Sequence, residues 1–275
     1  MAVRCCVTEL ELIMTWIVGY SSPLGYAVGM SDIRVTFRDN RIKDCLQKIH
    51  PISPNICLGF AGSVRIGFSL VERLRYELRN TPPGSAWDQY EVAKWCPGVF
   101  EEVFASHTAE ERNLQSHLIM LAAHPREPVE DPTWAKCSVF ILKSPQFSSE
   151  EAPLLTVVSI GSGAGVEVYR SVLQKHTEDR ESLMKLEPMG LGMGTFGLEV
   201  SISDILRKQP ISGISPHVQT CLVRRGEYFL SDNNLVQYAS DGTEVPSPMP
   251  PVATSFAEFE RIARAGNVSP VCAVC

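Results

Sequence analysis

Strand patterns in this sequence come in groups, and helical patterns come in pairs between them. From Thr15 the chain reads as strand, turn, strand: Thr15–Tyr20 is apolar and β-prone, Ser21-Ser22-Pro23-Leu24-Gly25 carries turn chemistry, and Tyr26–Ser31 is the second strand. A charged stretch through Arg38-Asp39-Asn40-Arg41 leads to Lys48–Pro51 and then the apolar run Ile56–Phe60. Ser63 reads as an N-cap, and Val64, Phe68, Val71, Leu74 and Leu78 recur at helical spacing to about Asn80, where Pro82-Pro83-Gly84 stops them. Residues 88–107 hold a second helical pattern, which Pro97 is expected to kink or divide. Strands resume at His117–Ala123, Ser138–Leu142 and Leu154–Ile160. Helices follow from Ser162 to about Gln174 and, after the glycine-rich Gly190–Gly197, at about Leu198–Leu206. His217–Val223, Glu227–Leu230 and Val236–Ala239 read as closing strands, then a proline-rich linker at 244–252 and a short helix at Phe256–Ala265. Short β connections imply antiparallel pairing, and paired helices can cover such sheets. The expected fold class is therefore α+β, a layered sandwich rather than an alternating parallel α/β fold.

Composition limits the function classes. The chain has 275 residues, enough for one large domain, and 44% hydrophobic content, enough for a sizeable core. A formal net charge of −6 with no Lys/Arg block argues against nucleic acid or an anionic membrane as partner. No apolar run reaches the ~18 residues of a membrane span, and the N-terminal stretch lacks secretory signal character, so a cytoplasmic location is expected. Nine cysteines at scattered spacing read as reduced thiols, and Cys272-Ala273-Val274-Cys275 has no partner pair for zinc. No metal or cofactor is expected. Gly161–Gly165 imitates a dinucleotide fingerprint, but Val166 stands where its third glycine belongs.

Thr15 is the residue with the most chemical potential. Met14 precedes it, so residues 1–14 read either as a propeptide or as an extension upstream of the true start. A threonine at a chain's N-terminus carries both a hydroxyl and a free amine of reference pKa about 7.7–8.0, which can serve as its own general base. Asp32 closes the second strand, Lys48 opens Lys48-Ile49-His50-Pro51, Gly59 lies in Leu58-Gly59-Phe60-Ala61-Gly62-Ser63, and Ser162 lies in Ile160-Gly161-Ser162-Gly163 at a strand-to-helix junction. Taken one at a time these are ordinary: a β-prone residue, a turn acid, a solvated charge, a tight turn and an N-cap. Their order is what is specific.

In that order the chain resembles the proteasome β-subunit superfamily of N-terminal-nucleophile hydrolases over roughly Thr15 to Leu230. It is most similar to the bacterial heat-shock-locus peptidase subunits in its Gly-Phe-Ala-Gly and Ile-Gly-Ser-Gly segments. The resemblance implies a four-layer αββα sandwich, with two antiparallel sheets flanked by helices, for a domain spanning 15–243, followed by a C-terminal extension at 244–275. It implies Thr15 as nucleophile, Lys48 lowering the hydroxyl pKa, Asp32 holding Lys48 protonated, the Gly59 N–H as oxyanion donor and Ser162 bonded to the threonine amine. Cys57 would line the pocket for the substrate residue before the cleaved bond. Ser212-Gly213 matches the serine-glycine turn after the last helix, but Gln209 stands where an acidic residue is expected and supplies no charge. The implied partners are a polypeptide substrate, further copies of the chain in a ring, and a ring ATPase. The alternatives are an inactive ring or scaffold subunit and an N-terminal-nucleophile amidase acting on a small molecule.

Overall fold

The computed structural model describes residues 15–22, 25–37, 39–79, 89–124, 136–178, 193–224, 226–233, 237–238, 244–245 and 249–265. Residues 1–14, the Pro82-Pro83-Gly84 stop, the first residues of the glycine-rich Gly190–Gly197 approach and Cys272-Ala273-Val274-Cys275 lie outside them.

In chain order the elements begin with β1 (Trp16–Ser22), β2 (Tyr26–Asp32), β3 (Arg34–Thr36), β4 (Ile42–Asp44), β5 (Ile49–Ser53) and β6 (Ile56–Gly62). Then come α1 (Val64–Arg79), α2 (Gln89–Ser106), α3 (Ala109–Arg112), β7 (Ser116–Ala123), β8 (Cys137–Lys143), β9 (Ser149–Glu151) and β10 (Val158–Gly161). A 3₁₀ turn at Ser162–Gly165 leads into α4 (Glu167–Glu178) and α5 (Met193–Lys208). The chain closes with β11 (Val218–Arg224), β12 (Glu227–Asn233), β13 (Gln237–Tyr238), β14 (Glu244–Val245) and α6 (Phe256–Arg264).

Two five-stranded antiparallel sheets dominate, in the orders β10-β1-β2-β11-β12 and β5-β6-β7-β8-β9. The class is α+β, as the short connections require. Ile17, Ala27, Ile49, Cys57, Ile119, Leu121, Val139, Cys221 and Val223 form one apolar cluster drawn from both sheets. The sheets approach closely there: a Cβ added at Gly29 would sit 2.7 Å from Leu121 and 2.9 Å from Ile49. The other faces feed two further clusters. Val18, Tyr20, Val28 and Met30 pack with Tyr169, Leu173, Leu198 and Ile202 of α4 and α5. Leu58, Phe60, Leu118, Met120 and Phe140 pack with Phe68, Leu74, Cys96 and Phe100 of α1 and α2 and with Phe259 of α6.

The strand alternation explains this division. Even-numbered residues of β1 face the α4–α5 side and Ile17 faces the opposite sheet, so central strands such as β1 and β2 bury both surfaces and read as continuous apolar runs. Ser63 caps α1 through its Oγ, which accepts from the Ile66 N–H at 3.3 Å.

Several boundaries differ from the sequence expectation. α2 runs through Pro97 undivided. Leu154 and Leu155 form a turn rather than a strand start, with Leu155 at φ 59°, and β10 begins only at Val158. Gly163 and Gly165 delay the expected helix at Ser162 into a 3₁₀ turn, and α4 starts at Glu167. The charged stretch after β2 contains the β3–β4 ribbon, which no apolar alternation marks.

The C-terminal segment is part of the main body. Ala253 forms a parallel bridge with Leu46, its N–H donates to the Cys45 carbonyl at 2.7 Å, and Ala253 and Phe259 are fully buried. Cys45, Cys57, Cys96, Cys137 and Cys221 are buried thiols that form no disulfide. No helix among the described residues is long and apolar enough to cross a membrane.

Candidate active site

The β1–β2 hairpin does to Asp32 what its length dictates: the return strand brings the carboxylate back beside Trp16. Asp32 Oδ1 accepts the Trp16 N–H at 2.8 Å and the Lys48 ammonium at 2.7 Å. Its Oδ2 accepts the Arg34 N–H at 3.0 Å and the Ser215 N–H at 3.3 Å. The Asp32 and Lys48 side chains are both 0% exposed. Burial pushes the Lys48 ammonium down from its ordinary pKa, and the charges of Asp32 and Asp44 oppose that fall.

Lys48 is held where β5 begins. Its carbonyl accepts the Phe60 N–H at 3.0 Å, and the preceding Gln47 N–H donates to Ala253 at 3.1 Å. His50, two residues on, stacks on Phe60 with ring centroids 5.6 Å apart, and burial pushes its pKa down to about 3, so it stays neutral.

Ser162 meets Thr15 from the opposite edge of the sheet. Trp16 pairs with Gly161 in the β1–β10 register, the Thr15 N–H donates to Ser162 Oγ at 3.0 Å, and Ser162 Oγ donates to the Thr15 carbonyl at 3.3 Å. Gly161 makes this approach sterically feasible. Its φ is +85°, and a Cβ there would lie 2.1 Å from the Thr15 carbonyl oxygen. Gly161→Ala is therefore expected to lower the melting temperature, with at least the roughly 1–3 kcal/mol of backbone strain. Gly165→Ala is the control, since an added Cβ there meets nothing within 4 Å, and its melting temperature should match wild type. Equal melting of the two variants would mean that β10 can shift away from Thr15.

Thr15, Asp32, Lys48 and Ser162 thus come together at one end of the sheets. The other expected residues are placed differently. Phe60 donates toward β5, so strand alternation turns the Gly59 N–H the other way, toward β7. A Cβ at Gly59 would lie 3.2 Å from Ile49 and 3.4 Å from Ile17, so this glycine sits in the inter-sheet packing. Gly62 ends the strand instead, with φ +107°. Its N–H shares the side of Phe60's, facing past the start of β5 where Lys48 lies. The second glycine of Gly59-Phe60-Ala61-Gly62 was the signal for it. Cys57 is fully buried in the inter-sheet cluster, its thiol pushed up by hydrogen bonding to Cys221 and by burial.

Ser212 is exposed and contributes its carbonyl, which accepts from Arg34 Nη1 at 2.8 Å. Ser215, three residues later and fully buried, is the serine that reaches the centre: its N–H bonds Asp32 and its Oγ donates to Asp44 at 2.7 Å. Gln209 is exposed at the end of α5, and its carbonyl accepts from the Tyr169 hydroxyl at 2.9 Å. Tyr169 also stacks on Trp16 at 4.6 Å between centroids, and burial with the Asp32 charge raises its pKa to about 12.

The chemistry available is a threonine backbone nitrogen hydrogen-bonded to a serine, beside a buried lysine held by a carboxylate. No protein-family model and no curated protein matches the chain.

Proposed function

We propose that this protein is a proteasome-like N-terminal-nucleophile hydrolase that cleaves peptide bonds through Thr15 once the residues before it are removed. One observation carries the reading. A single oxygen, Asp32 Oδ1, receives both the Lys48 ammonium and the peptide N–H that follows Thr15, while the Thr15 nitrogen rests on Ser162. That arrangement supports a charged lysine beside the first residue of β1, with the threonine nitrogen oriented from the other side.

The steps follow from these groups. The freed Thr15 amine takes the proton of its own hydroxyl as the oxygen attacks the substrate carbonyl. The Lys48 charge lowers the hydroxyl pKa, and Asp32 offsets the desolvation that would otherwise deprotonate the lysine. The Gly62 N–H, rather than that of Gly59, stabilises the tetrahedral oxyanion. The ammonium of Thr15 returns its proton to the departing amine, leaving an ester that water hydrolyses.

The proposed architecture is the four-layer αββα sandwich, supported by one apolar cluster between the sheets and a helix-containing cluster on each outer side. A homo-oligomeric ring, a ring ATPase and a cytoplasmic location accompany the reading as proposals. The test is intact-mass measurement of the active protein combined with mapping of a threonine-directed electrophile on a peptide-hydrolysing preparation. A free, labelled Thr15 is the expected result. Residues 1–14 retained in an active preparation would overturn it. A free Thr15 that cleaves small amides but no peptide would favour the amidase, and a free Thr15 that neither reacts nor cleaves would favour an inactive scaffold subunit.

A further inference from the structure

We propose that Asp44 is a positioning residue for the Asp32–Lys48 pair, holding the Arg34 guanidinium away from Asp32 and adding a second, largely buried carboxylate to the field at Lys48. The inference deepens the peptidase reading and rests on it for its functional consequence, though not for its electrostatic one.

Arg34 follows Asp32 by two residues, and its N–H already donates to Asp32 Oδ2. Its guanidinium grips Asp44 with both ends, Nε to Oδ1 at 2.6 Å and Nη2 to Oδ2 at 3.0 Å, across the β3–β4 ribbon in which Arg34 pairs with Asp44. The two side chains are only 16% and 18% exposed, so this is not a solvent-screened surface pair. Its third contact, Nη1 to the Ser212 carbonyl, ties the same guanidinium to the loop after α5. Asp44 holds that loop a second time through Ser215 Oγ, and Ser215 in turn donates its N–H to Asp32. Asp44 thus touches two of the residues whose backbones hold the Asp32 carboxylate.

Asp44 is one of two carboxylates whose charge acts on Lys48. Asp32, Asp44 and Cys45 act on Lys48; Arg34 and His217 lie within the field of Asp44. Burial raises the Cys45 pKa to about 12 and lowers that of His217, so neither carries charge near neutral pH. Tyr169, acting on Asp32 from α4, is neutral as well. Lys43, next to Asp44, donates to the carbonyls of Ile262 and Ala265 at the end of α6. Two carboxylates, Asp32 and Asp44, thus grip two cationic side chains, Lys48 and Arg34. Without Asp44, Arg34 becomes an uncompensated cation whose nearest remaining anion is the carboxylate that Lys48 needs. A like charge close by disfavours a protonated lysine, and a loosened Asp32 favours it less. Both effects move Lys48 toward losing its proton.

The experiment uses the protein beginning at Thr15, with isotope-labelled lysine. The Lys48 side-chain NMR signal, assigned by its loss in Lys48→Arg, is titrated in wild type, Asp44→Asn and the Arg34→Gln/Asp44→Asn double variant. Peptide turnover is followed across pH in parallel. Asp44→Asn is expected to lower the Lys48 titration by about one pH unit or more, to move the alkaline limb of kcat the same way, and to leave KM within about twofold. The double variant, with the wild-type net charge restored, should recover most of both shifts, which a purely structural role for Asp44 would not produce. If Asp44→Asn fails to fold, Ser215→Ala should give a smaller downward shift. An unchanged Lys48 titration in whichever of these variants folds, or a double variant no better than the single, overturns the proposal. Shifted titrations in a chain that cleaves no peptide would uphold it while removing the peptidase reading.

Discussion

Thr15→Ala is expected to abolish peptide hydrolysis, by at least about 10⁴-fold in kcat, because it removes the hydroxyl that the proposed mechanism uses as nucleophile. The fold should be untouched. Thr15 is the residue before β1, and its recorded hydrogen bonds run through its backbone N–H and carbonyl, which alanine keeps. Labelling by threonine-directed electrophiles should vanish with the activity, and circular dichroism and melting should match wild type. Thr15→Ser retains both hydroxyl and amine and should keep measurable turnover. A Thr15→Ala protein that hydrolyses peptides at the wild-type rate would end the nucleophile assignment, whatever else the site does.

Asp32 and Lys48 should separate activity from stability. Either change removes the charged lysine that tunes the nucleophile, so Lys48→Met and Asp32→Ala should each cost most of the turnover, and the double variant little more than one alone. Their effects on folding should differ sharply. Asp32→Ala leaves Lys48 fully buried beside an apolar methyl group, and removing one partner of a buried pair costs about 3–5 kcal/mol. The same change strands the Trp16, Arg34 and Ser215 N–H groups that Asp32 accepts. Lys48→Met removes a desolvated ammonium and leaves the carboxylate with those three backbone donors, so its stability should stay near wild type. Urea denaturation of the three variants reads this directly. Equal destabilisation by both single changes would mean that the backbone donors do not sustain Asp32 without the lysine.

What the sequence by itself determined was local and periodic. The runs at β1, β2, β6, β7, β8 and β11 announced themselves because sheets buried on both faces need continuous apolar strands. Asp32, Lys48 and Ser162 were legible because each lies at an element boundary, where a polar residue interrupts an apolar pattern. The sequence did not disclose which glycine offers a free N–H. That depends on which neighbour each residue of β6 donates to, and the β5 register decides it. Nor did it distinguish Ser215 from Ser212, since the loop after α5 has no periodicity, and only its docking on Asp32 and Asp44 buries one serine and exposes the other. The β3–β4 ribbon looked like a charged loop because its stability comes from the Arg34–Asp44 pair and the loop it grips, contacts between residues 10 and 178 positions apart. The same holds for the C-terminal segment, whose proline-rich approach reads as linker while Ala253 bridges Leu46, two residues before Lys48. Pairing between distant segments follows from the free energy of the assembled chain. No local pattern encodes it, and so the partners of Asp32 and Lys48 emerged only from the tertiary structure.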